Sequence, residues 1–246
     1  MAVVPVVLAL VLRLSPQNHL DRREALFYFS TRTGLAVPAL ALEVMSRLLL
    51  VAVVALFAGD AIASEAAWGN LRALLARPIA RGRLLTSKLV VVALSSIAAT
   101  FTITLAGLVI GTIAFGWHRL DFAPYGLHSS PLALVGELVF ASIYITWSLA
   151  AVIGFGVLVS VVTDSPVAAV AAAFGLYVVS AIFDTVDAFG SLRYGFPTHY
   201  LDAWHHLFTH GVPATDMARG AIVQAGYLAA LLSASYWWFR RKDIRS

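Results

Sequence analysis

Cysteine is absent from the 246-residue chain, which excludes a disulfide framework, a thiolate zinc site and a cysteine-held iron–sulfur cluster. Charge is scarce, at 12% Asp, Glu, Lys and Arg against about 25% in soluble domains. Lysine is nearly missing: Lys88 and Lys242 are the two in the chain. Neither stands in a G-x-x-x-x-G-K-[ST] setting, so no phosphate-binding P-loop is present. There is no H-E-x-x-H, which excludes a zinc protease of that type. The serines of His128-Ser129-Ser130 and Asp164-Ser165-Pro166 lack the G-x-S-x-G setting of a nucleophile elbow. The net charge of +4 is small and scattered, with no basic patch for a nucleic acid.

What fills the chain instead is apolar. Hydrophobic residues make up 60% and the mean hydropathy is +0.85, more than a water-soluble globule can bury. One helical span takes about 20 apolar residues, and the long continuous runs exclude the alternating pattern of a β-barrel. The chain therefore reads as an all-α polytopic membrane protein with six spans in a single domain over residues 1–246. The spans fall at about 34–59, 84–115, 132–162, 167–183 and 218–239, preceded by an apolar run over 1–14. That first run is too short to cross a ~30 Å core and lacks a signal peptide's charged start and cleavage site. It reads as the remainder of a first span. Ser130-Pro131 and Ser165-Pro166 each put a capping hydroxyl before a proline at the first helical position. The short turn Thr163–Pro166 makes the spans on either side antiparallel neighbours.

Orientation follows the basic residues. Arg72, Arg77, Arg81, Arg83 and Lys88 lie in one loop, and Arg240, Arg241, Lys242 and Arg245 in the tail. With six spans these nine share one side, expected to be cytoplasmic. Arg13, Arg22, Arg23, Arg32, Arg119, Arg193 and Arg219 lie opposite, so the bias is nine against seven.

The polar interruption over 59–89 reads GDAIASEAAWGNLRALLARPIARGRLLTSKL. From Ser64 to Ala76 it has helical periodicity, with Trp68, Leu71, Leu74 and Leu75 on one stripe and Glu65, Asn70 and Arg72 away from it. Ser64 reads as its N-cap and Pro78 as its stop. On periodicity alone an interfacial amphipathic loop fits as well as a partner-binding helix.

The order of Asp60, Glu65, Gly69, Leu71, Leu74-Leu75, Pro78, Arg81 and Lys88 resembles the cytoplasmic loop of type-2 ABC exporter permeases, with Asn70 where that family usually has Thr. The ending YWWFRRKDIRS is similar to theirs too. The amphipathic helix that precedes the first span in that family is missing here. The resemblance implies that 64–76 is a coupling helix within a coupling segment 60–83, seated on a separate ATP-binding subunit that holds Mg-ATP. No cofactor is then expected in this chain. It further implies a second permease chain, identical or homologous, pairing through the fifth span, where Ala168, Ala171, Ala172 and Gly175 bring small residues together. The setting would be a prokaryotic cytoplasmic membrane. A non-transporting sensor or scaffold of the same fold is the alternative, and a membrane-embedded enzyme a more distant one.

Three further groups carry candidate chemistry. Glu43 and Arg47 stand at i, i+4 in the second span, close enough to neutralise each other. Glu137 lies in the fourth span without an evident sequence partner, and intramembrane ionisable residues are functional candidates. All seven histidines fall between spans. Asp202, His206 and His210 stand at i, i+4 and i+8, the spacing of a helical zinc or copper site. The same stretch also fits an interfacial segment anchored by Tyr200, Trp204 and Phe208. Thr100, Thr102 and Thr104, with Ser95 and Ser96, make the third span polar, and such hydroxyls usually bond back to their own helix.

Overall fold

The computed structural model describes residues 3–14, 34–68, 81–117, 120–122, 127–208 and 215–241. Its helices are α1 (Val3–Leu14), α2 (Val37–Ser46, entered through a 3-10 turn at Gly34–Ala36), α3 (Leu49–Ala67), α4 (Arg81–Phe115), α5 (Pro131–Ser148), α6 (Ala150–Val162), α7 (Pro166–Asp184) and α8 (Thr215–Arg241). Two 3-10 stretches, Asp187–Gly195 and Leu201–Phe208, lie between α7 and α8. The helical architecture expected from the apolar runs is present. A small antiparallel ribbon departs from it, pairing β1 (Leu120–Phe122) with β2 (Leu127–Ser129) in the register Leu120↔Ser129.

Among the described residues, five stretches are long and apolar enough to cross a membrane: Leu49–Ala67, Gly82–Phe115, Pro131–Val162, Pro166–Asp184 and Thr215–Arg241. Helices α5 with α6, α7 and α8 lie over the expected fourth, fifth and sixth runs. The expected second span does not run unbroken over 34–59. Its first part is the shorter helix ending at Ser46, and after Arg47 and Leu48 a new helix continues to Ala67. That helix absorbs the beginning of the expected coupling helix. Ser64 is not an N-cap. It sits inside α3, and its hydroxyl donates to the Asp60 carbonyl at 2.6 Å, the i−4 bond that lets serine stay within a helix. Alanines around it, with no Pro or Gly, keep the backbone helical. The helix that carries the third span likewise starts earlier than 84, at Arg81.

The caps predicted at Ser130 and Ser165 are observed. Ser165 accepts from the Ala168 amide at 3.4 Å with Pro166 at the first helical position, and Ser130 accepts from the Ala133 amide at 3.3 Å.

The residues divide into two compact units. The first comprises 1–50, 98–145 and 204–214. Here the entry to α2 lies directly on the C-terminal half of α4: Gly34 donates its amide to the Gly116 carbonyl at 3.1 Å. A Cβ on Gly107 would meet Pro38 Cα at 2.7 Å, so the two backbones touch where only glycine fits. Thr104 and Ser142, both buried, share a hydrogen bond of 2.7 Å between α4 and α5.

The second unit comprises 51–97, 146–203 and 215–246, and α6 is its centre. Gly154 and Gly156 lie about 200° apart around the helix, and each admits a different neighbour. A Cβ on Gly154 would stand 3.0 Å from Leu231 Cβ of α8. One on Gly156 would stand 2.7 Å from Ala58 Cβ of α3 and 3.2 Å from Ala173 Cβ of α7. Gly59 of α3 in turn lies against the Val170 backbone. Small residues replace bulk at each crossing, the packing that apolar helices need in lipid, where dispersion does most of the work.

Candidate functional site

One end of the second unit gathers the polar and aromatic residues of three chain segments. Helix α3 ends there with Asp60, Glu65 and Trp68, α4 begins there with Lys88 two turns in, and α8 ends there with Tyr236–Arg241. The apolar floor is Ala58, Ile62, Leu85, Val92, Val157, Val161 and Phe239, all nearly or fully inaccessible. Phe239 of the tail therefore packs beside Leu85 of the basic loop's far end. Above this floor the Tyr236 hydroxyl and Thr86 Oγ1 are 2.6 Å apart.

Two polar contacts fix α3. The Ser160 hydroxyl of α6, fully buried, accepts from the amides of Ile62 and Ala63, each at 2.9 Å. Glu65 Oε1 accepts from Lys88 Nζ, with the two side chains 20% and 29% exposed. This ion pair joins the two ends of the polar segment 60–88. Its partial burial places it above an exposed pair in worth, because screening is reduced.

The family-like residues thus separate into groups. Glu65 and Lys88 are brought together. Asp60, five residues before Glu65, lies about 140° away around α3 and faces a groove against α7. Trp68 is 80% exposed. Arg81 opens α4. Gly69, Leu71, Leu74, Leu75 and Pro78 lie outside the described residues, as does the rest of the expected helix to Ala76. On α7 the side buried within the unit carries Ala169, Ala173, Tyr177 and Ser180. Ala168 and Ala171 are exposed, Ala172 and Gly175 half-buried, and a Cβ on Gly175 would meet nothing within 4 Å.

The tail carries an interfacial pattern. Trp237 and Trp238 are 51% and 43% exposed, and the Arg241 guanidinium lies 4.3 Å over the Trp237 ring. A tryptophan pair with a cation on one face is what a membrane–water boundary favours. Helix length agrees. The 35 residues of α4 extend about 52 Å, well beyond a ~30 Å hydrocarbon core, so its charged first turns have room to stand outside.

In the first unit, Arg47 donates to Glu43 Oε1 through Nε at 2.8 Å and Nη2 at 2.6 Å, the pair expected from the i, i+4 spacing. The other carboxylate oxygen lies 2.6 Å from His205 Nε2, and the His205 ring lies 4.3 Å from that of the fully buried Trp204. Sequence reading missed His205 as a partner, because 162 residues separate it from Glu43. Glu137 is half-buried on α5.

The expected metal alignment loses its geometric premise. Residues 201–208 form a 3-10 stretch, with three residues per turn, so i, i+4 and i+8 do not share a face as they do in an α-helix. His210 lies outside the described residues, as does the side chain of His206. Among the described residues no group of three or more His, Asp or Glu is placed to hold a metal ion.

Back in the second unit, His199 Nδ1 lies 2.6 Å from Asp184 Oδ1, with the Tyr194 and Tyr200 rings edge-on to the imidazole. Gln224 of α8, 2% exposed, accepts from the Ala151 amide at 2.9 Å and donates to the Pro197 carbonyl at 2.7 Å. Tyr227 donates to the Gly195 carbonyl at 3.0 Å. The long connection is thereby tied to helix α8.

Five spanning helices, glycine-mediated crossings and an aromatic–basic end define the class: a multi-pass α-helical membrane protein. Its sequence matches, over residues 22–245, the family described as protein of unknown function DUF2705. That covers most of the chain, which belongs to this family. No curated protein matches it.

Proposed function

We propose that the chain is the membrane-spanning permease subunit of an ATP-driven ABC transporter, an exporter, driven by a separate ATP-binding subunit that docks on the segment 60–83. The observation that carries this reading is the meeting of the two segments on which the family resemblance rests. Glu65 is tied to Lys88, and Phe239 and Tyr236 of the tail pack onto the same end.

In this reading Trp68, Leu71, Leu74 and Leu75 supply the apolar contact with the ATP-binding subunit. Rim charge at Glu65, Arg72 and Arg77 sets register more than affinity. The Glu65–Lys88 pair links the end of α3 to the start of α4, and Ser160 pins α3 to α6. A push delivered to 64–83 then reaches helices α3, α4 and α6 as a group. Switching between two packed arrangements follows from interfaces that are bistable rather than continuously deformable. A second permease chain completes the pore, with the outward face of α7 offering Ala168, Ala171 and Ala172 to it. The setting is a prokaryotic cytoplasmic membrane.

The test is co-purification with the ATP-binding protein encoded beside this chain. Leu71→Asp should leave the permease inserted while removing both the association and substrate-stimulated ATP hydrolysis. An inserted Leu71→Asp chain with normal association and normal transport would refute the reading.

A further inference from the structure

Helices α3 and α7 do not close on each other along their whole length. They touch at Gly59 and Val170, and beside that crossing they leave an open-sided groove of about 430 Å³. Ala52, Leu56 and Asp60, at every fourth position of α3, line one wall, and Val167, Val170 and Phe174 of α7 line the other. The two helices run antiparallel, so Asp60 lies level with the start of α7, and Ala52 lies level with Phe174 about 12 Å deeper. The groove is thus apolar along its depth and anionic at one end. Among the described residues the Asp60 carboxylate makes no ion pair and no hydrogen bond.

Asp60 is exposed at the end of α3 that meets the membrane boundary, so its unpaired carboxylate is open to a cation from the interface. The other side chains that line the groove are hydrocarbon. We propose that the groove between α3 and α7 binds a lipophilic monocation, its apolar body between Leu56 and Phe174 and its ammonium group against Asp60. The volume falls in the range of ligand pockets, which are mostly apolar with a few polar groups that set orientation. Its open side admits the ligand laterally from the bilayer. An anionic amphiphile is disfavoured by Asp60, and a neutral one leaves that charge unpaired. This inference uses the membrane class and not the ATPase partnership, and it requires that pairing through α7 leave the groove open.

The experiment is equilibrium binding of radiolabelled dodecyltrimethylammonium to the purified full chain in phosphatidylcholine nanodiscs, beside dodecyl sulfate of equal chain length. Saturable binding of the cation is expected, with none for the anion. Asp60→Asn should weaken it by at least about tenfold, and Asp60→Glu, which keeps the charge, should retain it. Ala52→Trp, which fills the groove from α3, should abolish it without lowering the melting temperature. Adding phosphatidylethanolamine, a zwitterion with no net positive charge, should not compete, and competition overturns the assignment to a monocation. Equal saturable binding of dodecyl sulfate, or binding unchanged in Asp60→Asn, overturns the proposal. So does an Ala52→Trp chain whose particle mass falls from dimer to monomer, which would make the groove a seam between two copies.

Discussion

Gly59 and Gly156 set how closely the helices of the second unit approach. A Cβ added at Gly59 would stand 2.6 Å from the Val170 amide nitrogen, and backbone cannot turn aside as a side chain can. Gly59→Val should therefore force α3 from α7 and cost about 1–3 kcal/mol or more, read as a lower melting temperature in detergent. Gly226→Ala on α8 meets open space and should be neutral or gain up to about 1 kcal/mol in helix propensity. Equal effects at the two positions would contradict the crossing described. Glu65→Ala removes one member of a partly buried pair and should cost about 1–2 kcal/mol, between the exposed and fully buried limits. Lys88→Ala in the same background should then add little, and full additivity in that double-mutant cycle would mean the pair is not coupled. At this scale the sequence showed what is local. The Glu43–Arg47 contact follows from helical spacing, and the hydroxyls of Ser96 and Thr102 return to the carbonyls of Val92 and Ala98 as expected. Ser160, Gln224 and His205 were not legible, since their partners lie 27 to 162 residues away.

Among the elements, starts with a chemical marker were readable and breaks without one were not. Ser-Pro at 130–131 and 165–166 announces α5 and α7 through a hydroxyl cap and a preset φ. The interruptions at Arg47-Leu48 and at Leu149 carry no Pro or Gly, so hydropathy reads straight through them. Ser64 misleads for the opposite reason, because serine caps helices but also sits within them by bonding to i−4. In the connection before α8, Gly190 takes φ +48, the left-handed region where a Cβ costs about 1–2 kcal/mol, and the turn there follows from that residue. The connection hangs on Gln224. Gln224→Leu should leave the Ala151 amide and the Pro197 carbonyl without this partner and cost about 1–3 kcal/mol. Hydrogen exchange should rise at Ala151 and around 195–200 while the α3–α4 end stays protected. Uniform acceleration throughout the second unit would show that Gln224 holds the whole fold instead.

For the molecule as a whole, everything proposed about energy coupling depends on which side of the membrane the α3–α4 end faces. Basic-residue counting favours the cytoplasm only by nine to seven, although the exposed Trp237–Trp238 pair and the overhang of α4 agree that this end lies at a membrane boundary. Membrane class was legible from composition because apolar surface on this scale has no other place to go. Sidedness is weakly written, because the arginines are spread along the chain. The absence of cysteine makes the question directly measurable, since each introduced thiol reports without background. Single cysteines at Asn70 and Ser246 should react with an impermeant thiol reagent only after cells are permeabilised, whereas cysteines at Ser129 and Thr209 should react in intact cells. The reverse pattern would put the segment 60–88 on the side without ATP and contradict the permease reading outright.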